Sequence, residues 1–426
     1  MAMILKNKIH MKQLFSLGLL VAFLITLLWG CAKRKHSSPL DPLNPETHGK
    51  PPGLQVVSDH HNVILNWPVL ALNSITGICI YRSTDSSAAE KIITLPPLKK
   101  TFVDSHTVYN TTYHYSYSLV ADGYESPHSE PQSITPGPSF FYVSLASIGQ
   151  ILKLTFDVEH TYKRITRSGF PAVMALAGQG KGLWVADEYL GEIYRLTNSG
   201  YPLFSISGFG RITSIDYDTS RLVLWIADSK NKRVVAVDTL GYGKFAITGF
   251  EYPRQLRVNQ KNGDCWIVDS GQNVLVHSNR SGSNLQTIRN LAAPKWVSLP
   301  EIDGSVWVAD SSRVVHISEK GKIESEFSGF IYAYEVEIDP KRNALFVLDQ
   351  SYGWLGTELK KIGTDGKGQF SLRGFSFPKK MVVDPFDGAC VVADTYNSRV
   401  VKISGEGKII HENKLESAPL WIVREN

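Results

Sequence analysis

Six aspartates recur at nearly regular spacing along the C-terminal two thirds of this 426-residue chain. They are Asp187, Asp228, Asp269, Asp310, Asp349 and Asp394, separated by 41, 41, 41, 39 and 45 residues. A ring of carboxylates could collect a cation if the side chains converged. Each aspartate, however, ends a short apolar run at a predicted turn, where its side chain can accept hydrogen bonds from the turn's own N–H groups. We therefore expect these aspartates to have a structural role.

The other motifs that could support catalysis or metal binding are incomplete. Asp216 begins a stretch that resembles a calcium loop, but its twelfth position is Ala227, where a bidentate glutamate is needed. The glycine-rich stretch 178–182 leads into a strand and not a helix, so we expect a turn there and not a phosphate site. The four histidines of residues 139–426 are His160, His277, His316 and His411, none at the turn into a predicted inner strand. The sequence predicts no catalytic residue, metal or cofactor, and a propeller lyase or lactonase-like hydrolase is the alternative.

Aromatic and cationic residues occur together where the chain enters several predicted inner strands, among them Pro253–Val258 and Pro378–Val383. These candidate partner-binding residues are Arg254, Lys295, Trp296, Tyr334, Lys379 and Trp421. Rings interleaved with cations around a shallow funnel suit a polypeptide or an anionic glycan. The competing interpretation is that the rings wedge between repeats while the lysines are solvated.

One repeat carries an inserted loop on the same predicted face. Ten steps separate Asp349 from Leu359, whereas six separate the corresponding Asp228 and Val234. The insertion contains the further candidate partner-binding residues Tyr352, Trp354 and Leu355. Glycines flank its apolar Trp-Leu pair, which favours an adhesive surface loop.

These residues are positioned by a repeat. Each aspartate ends a short sequence motif, in which an aromatic or aliphatic pair is followed by a small or aliphatic residue. The motif recurs with a period of about 40 residues, which is typical of a four-stranded propeller blade. Residues 142–145 begin a seventh copy of this motif, but no predicted inner strand precedes it. Residues 419–423 are predicted to form an inner strand, but no copy of the motif follows it. The C-terminal strand would then complete the first blade. The sequence predicts an all-β protein in which residues 139–426 form a seven-bladed β-propeller closed by its N- and C-terminal strands.

The repeats resemble those of NHL-type propellers, in which Val-Ala-Asp and Asp-x-x-Asn-x-Arg-Val elements recur. Two blades match the second element, with Asp228, Asn231, Arg233, Val234 and with Asp394, Asn397, Arg399, Val400. Other blades depart from it, since Ser311-Ser312-Arg313 follows Asp310. The resemblance implies the fold and no particular ligand.

Residues 51–138 show short alternating strands, the period of a half-buried sheet. Tyr113, Tyr115 and Tyr117 fall on one face of the strand 113–119. The segment resembles a fibronectin type III domain through its opening Pro52-Gly53-Leu54, a core Trp67 and a tyrosine-corner-like Tyr113. The resemblance implies a β-sandwich, and an integrin-binding Arg-Gly-Asp is absent from the sequence.

Residues 1–31 have the pattern of a secretory signal, with lysines ahead of an apolar run. The ending Leu28-Trp29-Gly30-Cys31 resembles the lipobox of bacterial lipoproteins, which implies cleavage before Cys31 and lipidation of that cysteine. The alternative is an uncleaved signal anchor. Ala32 after the cysteine implies, by resemblance to Gram-negative sorting, the outer membrane. Residues 32–50 are polar and predict a flexible tether of roughly 60 Å.

The charge balance and the cysteines of the chain limit the classes of function that it can have. Without residues 1–30, 42 basic residues face 40 acidic ones, and this near-neutral surface argues against nucleic acid. Cys79, Cys265 and Cys390 are expected to be buried hydrophobes. His316 shares a strand position with Lys153, Arg195, Lys361 and Lys402, which we expect to point outward. The sequence favours a lipid-anchored, non-catalytic interaction protein of the bacterial cell envelope that binds an envelope protein or glycan.

Overall fold

The computed structural model describes residues 40–426 except 70–73, 168, 299–301, 351–355 and 426. Cys31, the signal segment and most of the predicted tether lie outside the described residues. The all-β class is confirmed, since the described chain consists of strands and two short 3₁₀ helices, Ala146–Ile148 and Thr395–Asn397. None of its helical segments has the length and apolar character needed to traverse a bilayer.

Among the described residues before 139, eight strands form two antiparallel sheets. One sheet has the order β1-β2-β5 and the other β4-β3-β6-β7, with β8 also paired to β6. The strands are β1 (Gln55–Asp59), β2 (Asn62–Asn66), β3 (Ile75–Thr84), β4 (Ser87–Leu95), β5 (Thr101–Asp104), β6 (Tyr113–Ala121), β7 (Tyr124–Glu125) and β8 (Gln132–Ile134). Trp67 is buried in their shared core and donates from Nε1 to the Lys99 carbonyl at 3.0 Å. The Tyr113 hydroxyl accepts from the Val108 N–H at 2.9 Å.

Within the described residues, Leu40 to Lys50 forms hydrogen-bonded turns, which differ from the extended tether that the composition predicts. The N–H of Asn44 donates to the Asp41 carbonyl and that of His48 to the Asn44 carbonyl, both at 2.9 Å. Leu40 packs against the core of the first two sheets. An apolar anchor and local hydrogen bonds therefore hold this segment.

Seven four-stranded antiparallel sheets follow in the described chain. The first combines β9 (Phe140–Leu145), β10 (Gln150–Leu154) and β11 (Thr161–Thr166) with the C-terminal β36 (Trp421–Glu425). The next three are β12 (Pro171–Leu176), β13 (Leu183–Asp187), β14 (Glu192–Leu196), β15 (Pro202–Ile206); β16 (Ile212–Asp218), β17 (Val223–Asp228), β18 (Arg233–Val237), β19 (Gly243–Thr248); and β20 (Pro253–Val258), β21 (Cys265–Asp269), β22 (Val274–Ser278), β23 (Asn284–Ile288). The last three are β24 (Pro294–Val297), β25 (Val306–Asp310), β26 (Arg313–Ile317), β27 (Ile323–Ser328); β28 (Ala333–Asp339), β29 (Ala344–Gln350), β30 (Thr357–Gly363), β31 (Gly368–Phe375); and β32 (Lys380–Val383), β33 (Cys390–Asp394), β34 (Arg399–Ile403), β35 (Ile409–Lys414). Such sheets are consistent with a β-propeller.

In each of the seven sheets, one edge strand, here called the first strand, contacts the first strands of the two neighbouring sheets. Together these strands form a closed series. These strands are β12, β16, β20, β24, β28, β32 and β36, and β36 touches both β32 and β12. The C-terminal strand pairs antiparallel with β9 as the sequence predicts, Trp421 opposite Ser144 and Val423 opposite Tyr142. The pairing covers an edge of β9 that would otherwise be open.

The repeated aspartates clamp six of the seven four-stranded sheets at one end. All six side chains are buried. Asp269 accepts from the N–H groups of Glu251 and Tyr252, both at 2.8 Å, and from Gly271 in its own turn at 3.0 Å. Turn N–H bonds of the predicted kind reach Asp187 and Asp269, whereas the donor shared by all six aspartates is an N–H of the segment that enters the first strand of the same sheet. In a blade that carries the Asp-x-x-Asn-x-Arg-Val element, Asn397 Nδ2 and Arg399 Nε donate to Asp394 Oδ2, at 2.8 and 2.7 Å.

The expectation that the side chains of the shared strand position point outward is wrong for all three of its lysines. Lys153, Lys361 and Lys402 are 5%, 4% and 0% exposed. Lys361 Nζ donates to the Gly405 carbonyl of the following sheet at 2.7 Å, and Lys402 Nζ donates to the Phe156 carbonyl at 3.0 Å. Carbonyls across the sheet boundary thus accept from Lys361 and Lys402, while carboxylates of the same sheet pair with Lys153 (Glu425, 2.6 Å) and Lys402 (Asp387, 2.9 Å).

Candidate functional site

A cavity of about 240 Å³, here called the axial cavity, opens where the chain enters the first strands. Each of the seven four-stranded sheets in the described chain contributes from its first strand or the residue before it. These residues are Ala172, Val173, Arg211, Ile212, Thr213, Arg254, Trp296, Tyr334, Lys379, Leu420 and Trp421, with Glu188 and Tyr252 from adjacent loops. Because the first strands contact one another in a closed series, this cavity lies on the axis of the ring.

Two tryptophans in the wall of the axial cavity belong to the packed core. Trp296 and Trp421 are 5% and 9% exposed, and their ring centroids lie 6.1 Å apart. Trp296 Nε1 donates to Glu337 Oε1 at 3.2 Å, and Trp421 Nε1 donates to the Met174 carbonyl at 2.9 Å. Since both indole donors are engaged, the rings present apolar surface to the cavity and no free N–H.

Positive charge at the mouth of the axial cavity exceeds negative charge. Arg211 Nε donates to Glu188 Oε1 at 2.6 Å, which neutralises one cation. The guanidinium of Arg254 lies 5.3 Å from the ring centroid of Tyr334. Among the described residues, no carboxylate forms an ion pair with Arg254, Lys295 or Lys379.

The two lysines at this mouth have perturbed pKa values. Partial burial, and then repulsion from Arg254, lowers the pKa of Lys295. The same two causes lower the pKa of Lys379, and in each case one acid opposes them, Asp310 for Lys295 and Glu188 for Lys379. Both shifts mean that nearby acids compensate the charged forms only partly, so an anion between these groups would be stabilised.

A second cavity of about 240 Å³ continues along the axis beyond Trp421 and contains a buried charge cluster. Glu337 Oε1 accepts from Arg257 Nη2 at 2.7 Å and from Lys380 Nζ at 3.0 Å. Glu335 contacts the same Lys380 ammonium and accepts from the Met381 N–H at 3.1 Å. Asp216, on the neighbouring β16, accepts from the Val258 N–H at 2.9 Å.

The two glutamates of this cluster differ in pKa because their partners differ. Burial raises the pKa of Glu335 to about 7, since Lys380 opposes the effect of burial only partly and Glu337 repels the charged form. Burial acts in the same direction on Glu337, but Lys380 and Arg257 outweigh it and lower the pKa of Glu337. Burial also raises the pKa of Asp216.

The structure brings five of the nine predicted partner-binding residues into one cavity wall. They are Arg254, Trp296, Tyr334, Lys379 and Trp421. Lys295 lies within electrostatic reach of Arg254. Tyr352, Trp354 and Leu355 lie outside the described residues.

Sequence reasoning missed several charged residues that face the axis. They are Glu188, Arg211, Asp216, Arg257, Glu335 and Glu337. The available signal was the alternation of charge inside predicted inner strands, where Glu335 and Glu337 flank an apolar Val336 and Arg257 follows Leu256. A strand surrounded by other strands has no solvent-facing side, so charges there indicate an internal polar network.

The histidines and cysteines lie away from the axial cavity. His277 stacks on Trp266 at 4.0 Å between ring centroids, and His316 stacks on Trp307 at 4.3 Å. Cys79, Cys265 and Cys390 are free and buried. In the part of the chain that the structure describes, no group of three or more His, Cys, Asp or Glu side chains could hold a metal ion.

Comparison with known proteins shows likeness at the level of fold. No family model matches the chain, and no curated protein matches it. A solved structure of a functionally unknown protein from Desulfotomaculum acetoxidans DSM 771 is 11% identical with a TM-score of 0.59, over 67% of this chain and 99% of that chain. Hydrazine synthase from Kuenenia stuttgartiensis is 13% identical with a TM-score of 0.50, over 55% of this chain and 76% of that chain. At these identities the likeness concerns the fold alone.

Proposed function

We propose that this chain is an exported, lipid-anchored, non-catalytic interaction protein of the bacterial cell envelope. It binds an envelope protein or glycan through the propeller face on which the axial cavity opens. The axial cavity carries this proposal, because cations without carboxylate partners and aromatic side chains converge there from separate sheets. Concave sites that combine apolar walls with a few polar groups are where proteins most often bind ligands.

The architecture within this proposal is a seven-bladed NHL-type propeller over residues 139–426. The closed series of first strands supports seven blades, and the pairing of β36 with β9 supports closure by both ends of this region. The NHL assignment is supported by the clamp in which Asn231 and Arg233 donate to Asp228 Oδ2, both at 2.9 Å. The motif that suggested the family thus has a physical role in these blades.

Residues 51–138 are proposed to form a fibronectin type III-like spacer. Support comes from the two antiparallel sheets, the buried Trp67 and the hydrogen bond of the Tyr113 hydroxyl to backbone five residues upstream. A tyrosine corner makes this kind of bond in sandwich domains. Lipid on Cys31 would hold the spacer at the outer membrane, with Lys33-Arg34-Lys35 against anionic headgroups.

The experiment that tests the function is crosslinking in intact cells, followed by identification of the attached molecules. The Arg254→Glu, Lys379→Glu double variant should lose the crosslinked partner, because it reverses the charge at the cavity mouth. Trp354→Ala should weaken capture if the inserted loop contributes. Lys320→Glu is the matched control, since Lys320 is exposed in the turn between β26 and β27, at the other end of the strands.

Two outcomes would contradict the proposal. Unchanged capture by the double variant would remove the axial cavity from the interface. Chelator-sensitive turnover of a lactone or lyase substrate by the purified full chain would instead support the enzymatic alternative.

A further inference from the structure

An apolar rim borders part of the mouth of the axial cavity. It consists of Tyr189, Leu190, Ile331, Phe377 and Tyr396, which are 72%, 62%, 57%, 40% and 67% exposed. Tyr189 adjoins the cavity residue Glu188, and Phe377 lies two positions before Lys379. Large exposed apolar side chains grouped at one end of a fold mark an interaction surface.

Phe377 in this rim has a strained backbone. Its φ is +45°, a conformation that a bulky residue rarely adopts. The N–H of Ser376 donates to Asp394 Oδ1 at 2.7 Å, and the N–H of Lys379 donates to the Ala393 carbonyl at 3.2 Å, so the chain is held on both sides of the strained residue. The Phe377 ring lies 5.0 Å from that of Tyr396. The fold thus keeps an apolar ring pair at the surface beside the cationic mouth.

The cations at this mouth favour an anionic partner. Arg254 lies close enough to repel both Lys295 and Lys379, and Arg211 already engages Glu188, the acid of the cavity wall. The cavity volume of about 240 Å³ is below the roughly 300–1,000 Å³ typical of sites for whole small molecules. Such a cavity accommodates a single anionic group that belongs to a larger partner.

We propose that this face binds a polypeptide that inserts a carboxylate into the axial cavity and covers the apolar rim with its own apolar side chains. The inference rests on the proposed function, because it uses the same cavity. The carboxylate could be an acidic side chain or a C-terminal carboxylate, and both present the same two oxygens to Arg254 and Lys379. The rim favours a polypeptide over a glycan, since exposed leucine, isoleucine and phenylalanine match apolar side chains.

Binding of short peptides to the full chain, measured by calorimetry at low ionic strength, tests the inference. The probes are N-acetyl-leucyl-aspartyl-phenylalaninamide, its asparaginyl counterpart, N-acetyl-leucyl-phenylalanine with a free carboxylate, and trigalacturonate. One or both carboxylate peptides should bind, and the asparaginyl peptide should bind at least about tenfold more weakly. The first peptide tests a side-chain carboxylate and the third a terminal one.

Variants connect the binding to the named residues. Arg254→Gln with Lys379→Gln should weaken carboxylate-peptide binding about tenfold or more, whereas Lys320→Gln should leave it unchanged. Lys379→Gln alone serves if the double variant does not fold. Phe377→Ser should weaken the binding of the carboxylate peptides, because it removes apolar rim surface. It should leave the binding of acetate, used as a carboxylate without apolar groups, unchanged because it removes no charge.

Several outcomes would overturn the inference. They are binding of the asparaginyl peptide as tight as that of the tighter carboxylate peptide, absence of binding by both carboxylate peptides, or binding of trigalacturonate alone. If the charge-reversed variant loses the crosslinked partner in cells but no carboxylate peptide binds, only the carboxylate inference fails. If that variant keeps the partner, the proposed function fails as well.

Discussion

Glu335→Gln tests whether the buried charge cluster on the axis has the properties that its geometry implies. Glu335 is fully buried, and Lys380 is the cation that it contacts. Burial raises the pKa of Glu335 to about 7 from an ordinary value of 4.5, with Lys380 opposing and Glu337 adding to the effect. Glutamine keeps the size and one acceptor oxygen of the side chain but cannot titrate.

The sign and the size of the effect follow from proton linkage. An acid with a higher pKa in the folded state binds protons more strongly there, so the free energy of unfolding falls as pH rises from the unfolded pKa to the folded one. For Glu335 this window runs from 4.5 to about 7. At roughly 1.4 kcal/mol per pKa unit, wild-type protein loses about 3 kcal/mol across the window. The glutamine variant lacks this loss, so its stability relative to wild type should rise by about 3 kcal/mol between pH 4 and pH 8.

Urea unfolding followed by tryptophan fluorescence at several pH values measures this difference. The buried tryptophans report on the sheets after residue 139, since Trp184, Trp225, Trp266 and Trp307 all lie there. Glu406→Gln is the matched control, because Glu406 is exposed and a hydrogen bond with Ser404 lowers its pKa. A stability difference for Glu335→Gln that is flat with pH, or that falls as pH rises, would refute the reasoning.

Three further predictions concern the clamp, the closing strand and the anchor. Asp394→Ala should lower the unfolding free energy by about 3 kcal/mol or more in urea titrations, because it removes a buried carboxylate that accepts from three donors, one of them Arg399. The control Asp365→Ala, in an exposed turn, should change the unfolding free energy little. An equal loss in both variants would contradict the clamp. Deleting 421–426 should cause aggregation in size-exclusion chromatography, because it exposes the edge of β9; a monomeric, folded product would argue against closure. Cys31→Ser should abolish metabolic labelling with palmitate and release the protein from membranes, and persistent labelling would disprove lipidation at that residue.

Local patterns were sufficient to predict the strands and the role of the aspartates. The Pro253–Val258 strand is found as the sequence predicts, and it begins at the proline that marks the strand entry. The Pro378–Val383 strand begins two residues late, at Lys380, where ladder pairing with Ala393 starts. The structural role of the aspartates was predictable because a buried carboxylate needs N–H donors. Among the described residues, turn N–H groups of the predicted kind reach only Asp187 and Asp269, and the donors common to all six come from the strand entries.

The charged residues on the axis were predictable only in part. Arg254 and Lys379 were found because they follow aromatic or proline residues at strand entries. Glu335, Glu337 and Arg257 were missed because their partners come from other sheets; Glu337 and Arg257 are 80 residues apart in sequence. Lys402 was assigned to the surface because no local feature indicates that the first sheet covers it.

Local patterns and their repetition along the chain were enough to establish the all-β class, the repeat period, the structural role of the aspartates and the strand at 421–425 that lacks a local partner. These features are encoded within single repeats or in the spacing between them. The assembled sheets were needed to show which charges meet on the axis, which lysines are buried and which cations at the mouth lack a carboxylate. Those outcomes depend on packing the sheets side by side in a closed ring, which brings distant residues within a few ångströms of one another and excludes water between them.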